Sequence, residues 1–233
     1  MKTWTTALAC ALLVAGLSAR ADELNQLSEQ EKLDGWQLLF NGQNTVGWHS
    51  FNRHEAKRQW QVQDGVLALM RGGGGDLVTD KTYGDFDLRW EWRISYKGNS
   101  GVMYHVVENE GRDYPWRTGP EYQLLDNANL PEAPIEQAGA LFALYAPVRD
   151  VTKPTGEWNE SRLKIEHRHV QHWLNGVLIV EYELWSPDFT QRVAASKFAS
   201  MPEFGRFERG GIALQDHGDV VAFRNIKLRE LEN

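Results

Sequence analysis

Three stretches hold side chains able to move protons: Gly119-Pro120-Glu121-Tyr122-Gln123-Leu124-Leu125-Asp126, Ser196-Lys197-Phe198 and Leu214-Gln215-Asp216-His217-Gly218. Two carboxyl groups acting as acid and base across a glycosidic bond must stand about 5–5.5 Å apart for retention, or roughly 6.5–9.5 Å for inversion. Residues two apart on one strand face approach the shorter spacing. Here Glu121-x-Gln123-x-x-Asp126 puts an amide at the second position, and a regular strand turns Asp126 to the opposite face. A simple double displacement is therefore not supported. Taken alone, Glu121 reads first as a solvated strand carboxylate and Lys197 as a surface lysine, while His217 reads equally as a proton carrier and as a turn residue bonded to backbone.

Other constellations carry less. His167, His169 and His172 invite a metal, but no third ligand accompanies the pair on one strand face. Gly72-Gly73-Gly74-Gly75 lacks the Gly-Lys-Ser/Thr ending of a phosphate loop and reads as a flexible turn. Asn159-Glu160-Ser161 is a frequent chance match to a glycosylation acceptor. No Gly-x-Ser-x-Gly element supports a serine esterase, and no nicotinamide or flavin fingerprint appears.

The elements that must position these groups are strands. Trp60–Gln63 and Val66–Leu69 flank Asp64-Gly65, and His172–Leu174 and Val177–Val180 flank Asn175-Gly176; both read as tight hairpins. Leu163–His167 precedes the second hairpin and extends it to a meander. Phe86, Leu88, Trp90, Trp92 and Ile94 alternate with Asp87, Arg89, Glu91 and Arg93, so one face is core and the other wet. The same period puts Glu121 with Gln123, and Gln215 with His217. Segments 108–118 and 127–137 are loops, the second with room for a short helix, and 186–204 is irregular with a helical turn near Phe189. Long loops in a compact sandwich usually line a site.

The first residues predict export: Lys2, an apolar run over Ala7–Leu17, then Ser18-Ala19-Arg20-Ala21, with cleavage after Ala21. The run is short for a bilayer span, and nothing downstream offers roughly 20 apolar residues, so no membrane segment is expected. Cys10 lies inside the leader, which leaves a thiol-free remainder and excludes disulfides and cysteine chemistry there. Removing Lys2 and Arg20 leaves 23 basic against 32 acidic residues, a net −9 that repels phosphate backbones and argues against nucleic acid. Residues 22–233 are expected to form one all-β domain, a two-sheet antiparallel jelly-roll sandwich. Of the ten Trp, Trp116 and Trp185 fall in loops where they could stack on a sugar ring, whereas Trp90, Trp92 and Trp158 are assigned to the core.

A resemblance becomes specific along Leu39-Phe40-Asn41-Gly42, Gly47-Trp48, Asp85-Phe86, Glu91-Trp92-Arg93-Ile94, Gly98-Asn99-Ser100-Gly101-Val102, the Gly119–Asp126 run, Gly156-Glu157-Trp158-Asn159, Leu214–Gly218 and Phe223-Arg224-Asn225-Ile226. In this order they resemble the 3-keto-disaccharide hydrolase domain family, from about Asp34 nearly to the end. The resemblance implies a concanavalin A-like fold and cleavage of glycosides already oxidised at sugar carbon 3. A ketone there acidifies the hydrogen on carbon 2, so the glycosidic oxygen can leave by elimination, with water added afterwards. That route needs an acid, a base and a stabiliser for the enolate oxygen. Glu121, Asp126 and His217 are the candidates for proton transfer, Glu121 first, and Lys197 is the candidate oxyanion partner. Whether Glu121 or His217 is the base stays open.

Glu91, Arg93, Asn99, Tyr104, Gln123 and Gln215 would line the groove and bond sugar hydroxyls, or else form a plain polar sheet face. No cofactor is required; a divalent cation among Glu121, Asp126 and His217 would be chemically sensible for holding a ketone oxygen. The resemblance further implies a small sugar substrate and a separate glycoside 3-oxidoreductase that makes the ketone, and the leader over 1–21 places the protein in the periplasm or has it secreted. Two rivals remain, since the same sandwich serves lectins. A non-catalytic carbohydrate-binding module predicts a flat aromatic strip without clustered acid, base and lysine. A partner-docking sandwich predicts an exposed apolar patch instead.

Overall fold

The computed structural model describes residues 24–109 and 111–231; the expected leader over 1–21, with Cys10, lies outside the described residues. Thirteen strands among these residues build two antiparallel sheets: β1 (Gln37–Leu38), β2 (Trp48–Ser50), β3 (Trp60–Gln63), β4 (Val66–Leu69), β5 (Leu77–Thr79), β6 (Phe86–Ile94), β7 (Asn99–Val106), β8 (Glu121–Leu125), β9 (Asn159–Glu166), β10 (His169–Leu174), β11 (Val177–Glu183), β12 (Gly211–Leu214) and β13 (Val221–Glu230). The larger sheet runs β11-β10-β9-β6-β13-β4-β3 with β1 on β13, and the smaller β2-β5-β12-β7-β8. Helix α1 (Glu29–Leu33) precedes them, and α2 (Pro187–Ala194), started by a Ser186 cap on the Phe189 NH, follows β11. The expected helical turn near Phe189 is thus a full short helix.

Both hairpins form as predicted. Asp64-Gly65 and Asn175-Gly176 adopt positive φ at both turn positions, the geometry whose twist matches paired strands. β9 pairs β10 in turn, completing the meander. Phe86, Leu88, Trp90, Trp92 and Ile94 are buried between the sheets, facing Val102, Tyr104, Tyr122 and Leu124 of the smaller one in a common core. A polar chain crosses that core: Trp92 Nε1 donates to Ser161 Oγ at 2.9 Å, Ser161 Oγ to Tyr122 OH at 2.9 Å, and Tyr122 OH to the Trp173 carbonyl at 3.0 Å. Hydrogen-bonded through its length, the chain keeps its buried polar groups satisfied and keys one sheet to the other.

Several residues expected in the groove sit elsewhere, because period-2 alternation tells which residues share a face but not where that face points. Glu91 and Arg93 lie on the outer face of the larger sheet. Glu91 pairs with Arg224 and Asn225, and Trp158 is sandwiched between Arg93 and Arg224 at 4.9 and 4.1 Å rather than buried in the core. Tyr104 points between the sheets, fully buried, with its hydroxyl against that of Tyr182. None of the three can touch a ligand held on the smaller sheet.

The same outer face holds Asp87, fully buried, in a fork from Arg162 at 2.7 and 2.8 Å, with Arg229 at 3.4 Å and Arg89 at 3.7 Å. Asp87→Ala is expected to cost about 2–3 kcal/mol, below the full cost of breaking a buried pair because the arginines are partly exposed. A urea denaturation midpoint measures it; an unaltered midpoint would contradict this account.

Candidate active site

The outward face of the smaller sheet assembles from rows of opposed residues. Glu121 lies opposite Met103, Met103 opposite Ala213, Ala213 opposite Val78, and Val78 opposite His49. One step along, Gln123 lies opposite Gly101, the Gln215 NH bonds the Gly101 carbonyl at 2.9 Å, and Asp76 stands beside Gln215 at the mouth of β5. Alternation turns all of them away from the core. Loops then cover the face, which is why most of it is buried.

Glu121 is the centre. Its carboxyl folds over Gly101, and a Cβ at 101 would overlap Oε1, Cδ and Cγ of Glu121, so the missing side chain is the slot that holds it. Only 7 % of the residue is exposed. Burial pushes its pKa up to about 8; Lys197 and a hydrogen bond with Gln215 oppose the rise, and the nearby charge of Asp76 adds to it. Glu121 is therefore mostly protonated at neutral pH.

Lys197, on the turn after α2, reaches the same place, with its ammonium 4.0 Å from the Phe142 ring centroid. Burial of that ammonium lowers its pKa against the pull of Glu121 and Glu136. Phe142 belongs to the loop after β8, and its NH bonds the Glu121 carbonyl at 3.0 Å. Gln215 is 9 % exposed, and its Oε1 is buried with no hydrogen-bond partner. An orphaned buried acceptor at this point invites a ligand donor.

Two other predicted site residues, Asp126 and Gln123, are tied up elsewhere. Asp126 is buried at the end of β8, its oxygens taken by Lys97 NH at 2.8 Å, Asn129 Nδ2 at 2.9 Å and Thr155 Oγ1 at 2.7 Å. It stitches three loops, faces away from Glu121 and leaves the proton-transfer set. Without Asp126, the trio Glu121, Asp126 and His217 cannot share an ion, and among the described residues no three His, Cys, Asp or Glu side chains are grouped to hold one. Gln123 shares the Glu121 face but lies buried under the following loop, its amide donating to the Glu136 carbonyl at 3.1 Å, so it anchors that loop instead of a sugar. His217 is exposed in the turn between β12 and β13. Asn99 keeps to the predicted face at the end of β7, half-buried, with its NH on Asp219.

Two contributors escaped the sequence reading. Asp76 follows the glycine run that reads as a turn, yet it is 8 % exposed and two positions from Val78, hence on the site face. Its Oδ1 accepts the Asp216 NH at 2.8 Å. Burial pushes its pKa up to about 6; the Asp216 NH restrains the rise and the Asp216 charge adds to it. The period-2 link to Val78 was the available signal. The other is His49, gripped by Asp80 at 2.6 Å and Glu108 at 2.8 Å. Burial pulls its pKa down, but the two carboxylates outweigh that and hold it above its ordinary value. Glu108 begins the loop that brings Trp116, stacked on Tyr114 at 5.1 Å, against Met103, Val78 and Ala213. Trp116 thus offers an aromatic wall on the site face. Trp185 instead hydrogen-bonds the Gly205 carbonyl under Arg168.

Comparison with known proteins finds the 3-keto-alpha-glucoside-1,2-lyase-like domain over residues 35–229. A 3-keto-disaccharide hydrolase of Bacteroides thetaiotaomicron is 31 % identical over 92 % of this chain and 85 % of its own. The crystal structure of a provisionally assigned glycosyl hydrolase from Parabacteroides distasonis superposes with a TM-score of 0.86 at 38 % identity, covering 90 % of this chain and all of the other. A carbohydrate-binding module of Bacillus subtilis, at TM-score 0.51 and 11 % identity over 79 % of this chain and 96 % of its own, shares the fold alone.

Proposed function

The chain belongs to the 3-keto-alpha-glucoside-1,2-lyase-like domain family, and we propose that it cleaves the glycosidic bond of 3-keto-glycosides by elimination across sugar carbons 1 and 2 followed by hydration. The observation that carries this reading is Glu121: a buried carboxyl, protonated near neutrality, held in the Gly101 slot beside an ammonium and an unsatisfied amide oxygen. A group that keeps its proton at pH 7 can hand it to a leaving oxygen. Lys197 supplies positive charge where an enolate oxygen develops. Gln215, with Oε1 free to accept, fixes a sugar hydroxyl, and Trp116 packs against a ring face. In this reading the enzyme acts outside the cytoplasm on a small sugar, beside a separate oxidoreductase that installs the ketone.

The test is to incubate the purified chain with a 3-keto-α-glucoside and its unoxidised parent and follow aglycone release. Release from the keto sugar alone supports the proposal. Tight binding of either sugar without release would make the chain a binding module, as the fold of the Bacillus subtilis protein allows.

A further inference from the structure

An elimination needs a base as well as an acid, and the two must address opposite faces of the sugar when the breaking C2–H and C1–O bonds are antiperiplanar. We infer that Asp76 is that base, the catalytic residue that takes the proton from carbon 2, facing Glu121 across a substrate ring seated over Gln215; this rests on the elimination reading above.

The sheet sets the spacing. Asp76, immediately before β5, and Gly101 on β7 are separated by the β12 line, two strand intervals or roughly 10 Å between backbones, and the Glu121 carboxyl occupies the Gly101 end of that span. Gln215 lies between, its Oε1 unpartnered and more than nine-tenths buried. A pyranose standing on edge there presents one face to each carboxyl and a hydroxyl to Gln215. The neighbouring acid does not compete for the role. Asp216 spends its oxygens on Gly75 NH at 2.8 Å and Gly218 NH at 3.0 Å, closing the glycine turn, while its own NH orients Asp76. No side chain among the described residues donates to Asp76. The raised but lower pKa of Asp76, about 6 against about 8 for Glu121, leaves Asp76 the ionised member at neutral pH.

The step balances without a co-reactant. Asp76 takes the carbon-2 proton, and the freed electron pair forms the C2=C3 bond of an enolate. Collapse restores the ketone, forms C1=C2 and breaks C1–O, the leaving oxygen taking the Glu121 proton. Water then adds across C1=C2, its oxygen to carbon 1 with Glu121 accepting its proton, while Asp76 returns a proton to carbon 2.

The measurement separates the base step from bond cleavage. A 1,5-anhydro sugar carrying the 3-ketone has no leaving group, so in deuterium oxide it reports carbon-2 exchange alone. Wild type should exchange, Asp76→Asn should lose at least 100-fold of exchange and of release from a 3-keto-glucoside, and Glu121→Gln should lose release far more than exchange. Asp76→Ser, which can still accept the Asp216 NH, is measured alongside in case the Asn variant does not fold. Exchange within threefold of wild type in either folded variant would overturn the assignment while leaving the enzyme intact. Cleavage by wild type with no carbon-2 exchange would overturn the elimination and Asp76 with it; neither cleavage nor exchange would overturn the functional reading itself.

Discussion

Glu121→Gln is expected to lower turnover of a 3-keto-glycoside by roughly 10²–10⁴-fold, the range lost with a general acid, while making the protein more stable in mildly alkaline solution. The two effects have one origin. In the unfolded chain Glu121 titrates near its ordinary value of 4.5, and in the fold near 8. The folded state therefore binds the extra proton, and stability falls as pH rises between those values. Below about 4.5 both states are protonated and the group costs nothing; above about 8 the full cost applies. Glutamine mimics the protonated form at every pH and removes the cost, on the order of 5 kcal/mol at the alkaline end, with the attraction of Lys197 already contained in the folded-state value. Melting curves of both proteins at pH 5 and pH 9 read this out: the variant should gain several degrees at pH 9 and little at pH 5. A variant less stable at pH 9 would mean that Glu121 is ionised and well paired, which removes the acid from the mechanism.

Gly101→Ala should be nearly as damaging to catalysis through a different route. The new methyl would occupy the space of the Glu121 carboxyl, and the three nearest atoms it would meet all belong to that side chain rather than to backbone. The strand can therefore stay in place while the carboxyl swings out. A loss of about 10²-fold in kcat is expected from misplacing an acid by an ångström or more, with a stability cost of about 1–3 kcal/mol for the forced repacking. Steady-state kinetics beside a melting curve distinguish displacement from collapse. Full activity in the alanine variant would show that the carboxyl does not work from this slot.

The two hairpins, the meander and the alternation of Phe86–Ile94 were legible because each is a local matter of turn chemistry or period. Glu121 stands first among the candidates in the sequence for the Gly-Pro turn before it and the polar sheet face it shares, and Lys197 lies close enough to act on its charge. Where the reading failed, the missing information was long-range. Nothing near Glu91 or Tyr104 says which layer of a sandwich a wet or apolar face will adjoin; that is decided by β13 and Tyr182, far along the chain. Asp126 is a candidate for proton transfer in sequence although the strand period turns it from Glu121, and three donors from separate loops show it to be a fastener. Asp76 was hidden by its company, since four glycines mask the start of a strand.

The site face also bears on how the protein comes into being. Gly101 and Glu121 arrive on strands β7 and β8, Asp76 just before β5 and Gln215 just after β12, and β12 pairs directly with both β5 and β7. During synthesis, more than 200 residues must leave the ribosome before Gln215 can take its place between Asp76 and Glu121. Sheets knit from such distant segments close slowly. Until the last strands dock, Asp76, Glu121 and Gln215 cannot face one another, so the site we propose, and the activity proposed for it, are complete only with the fold.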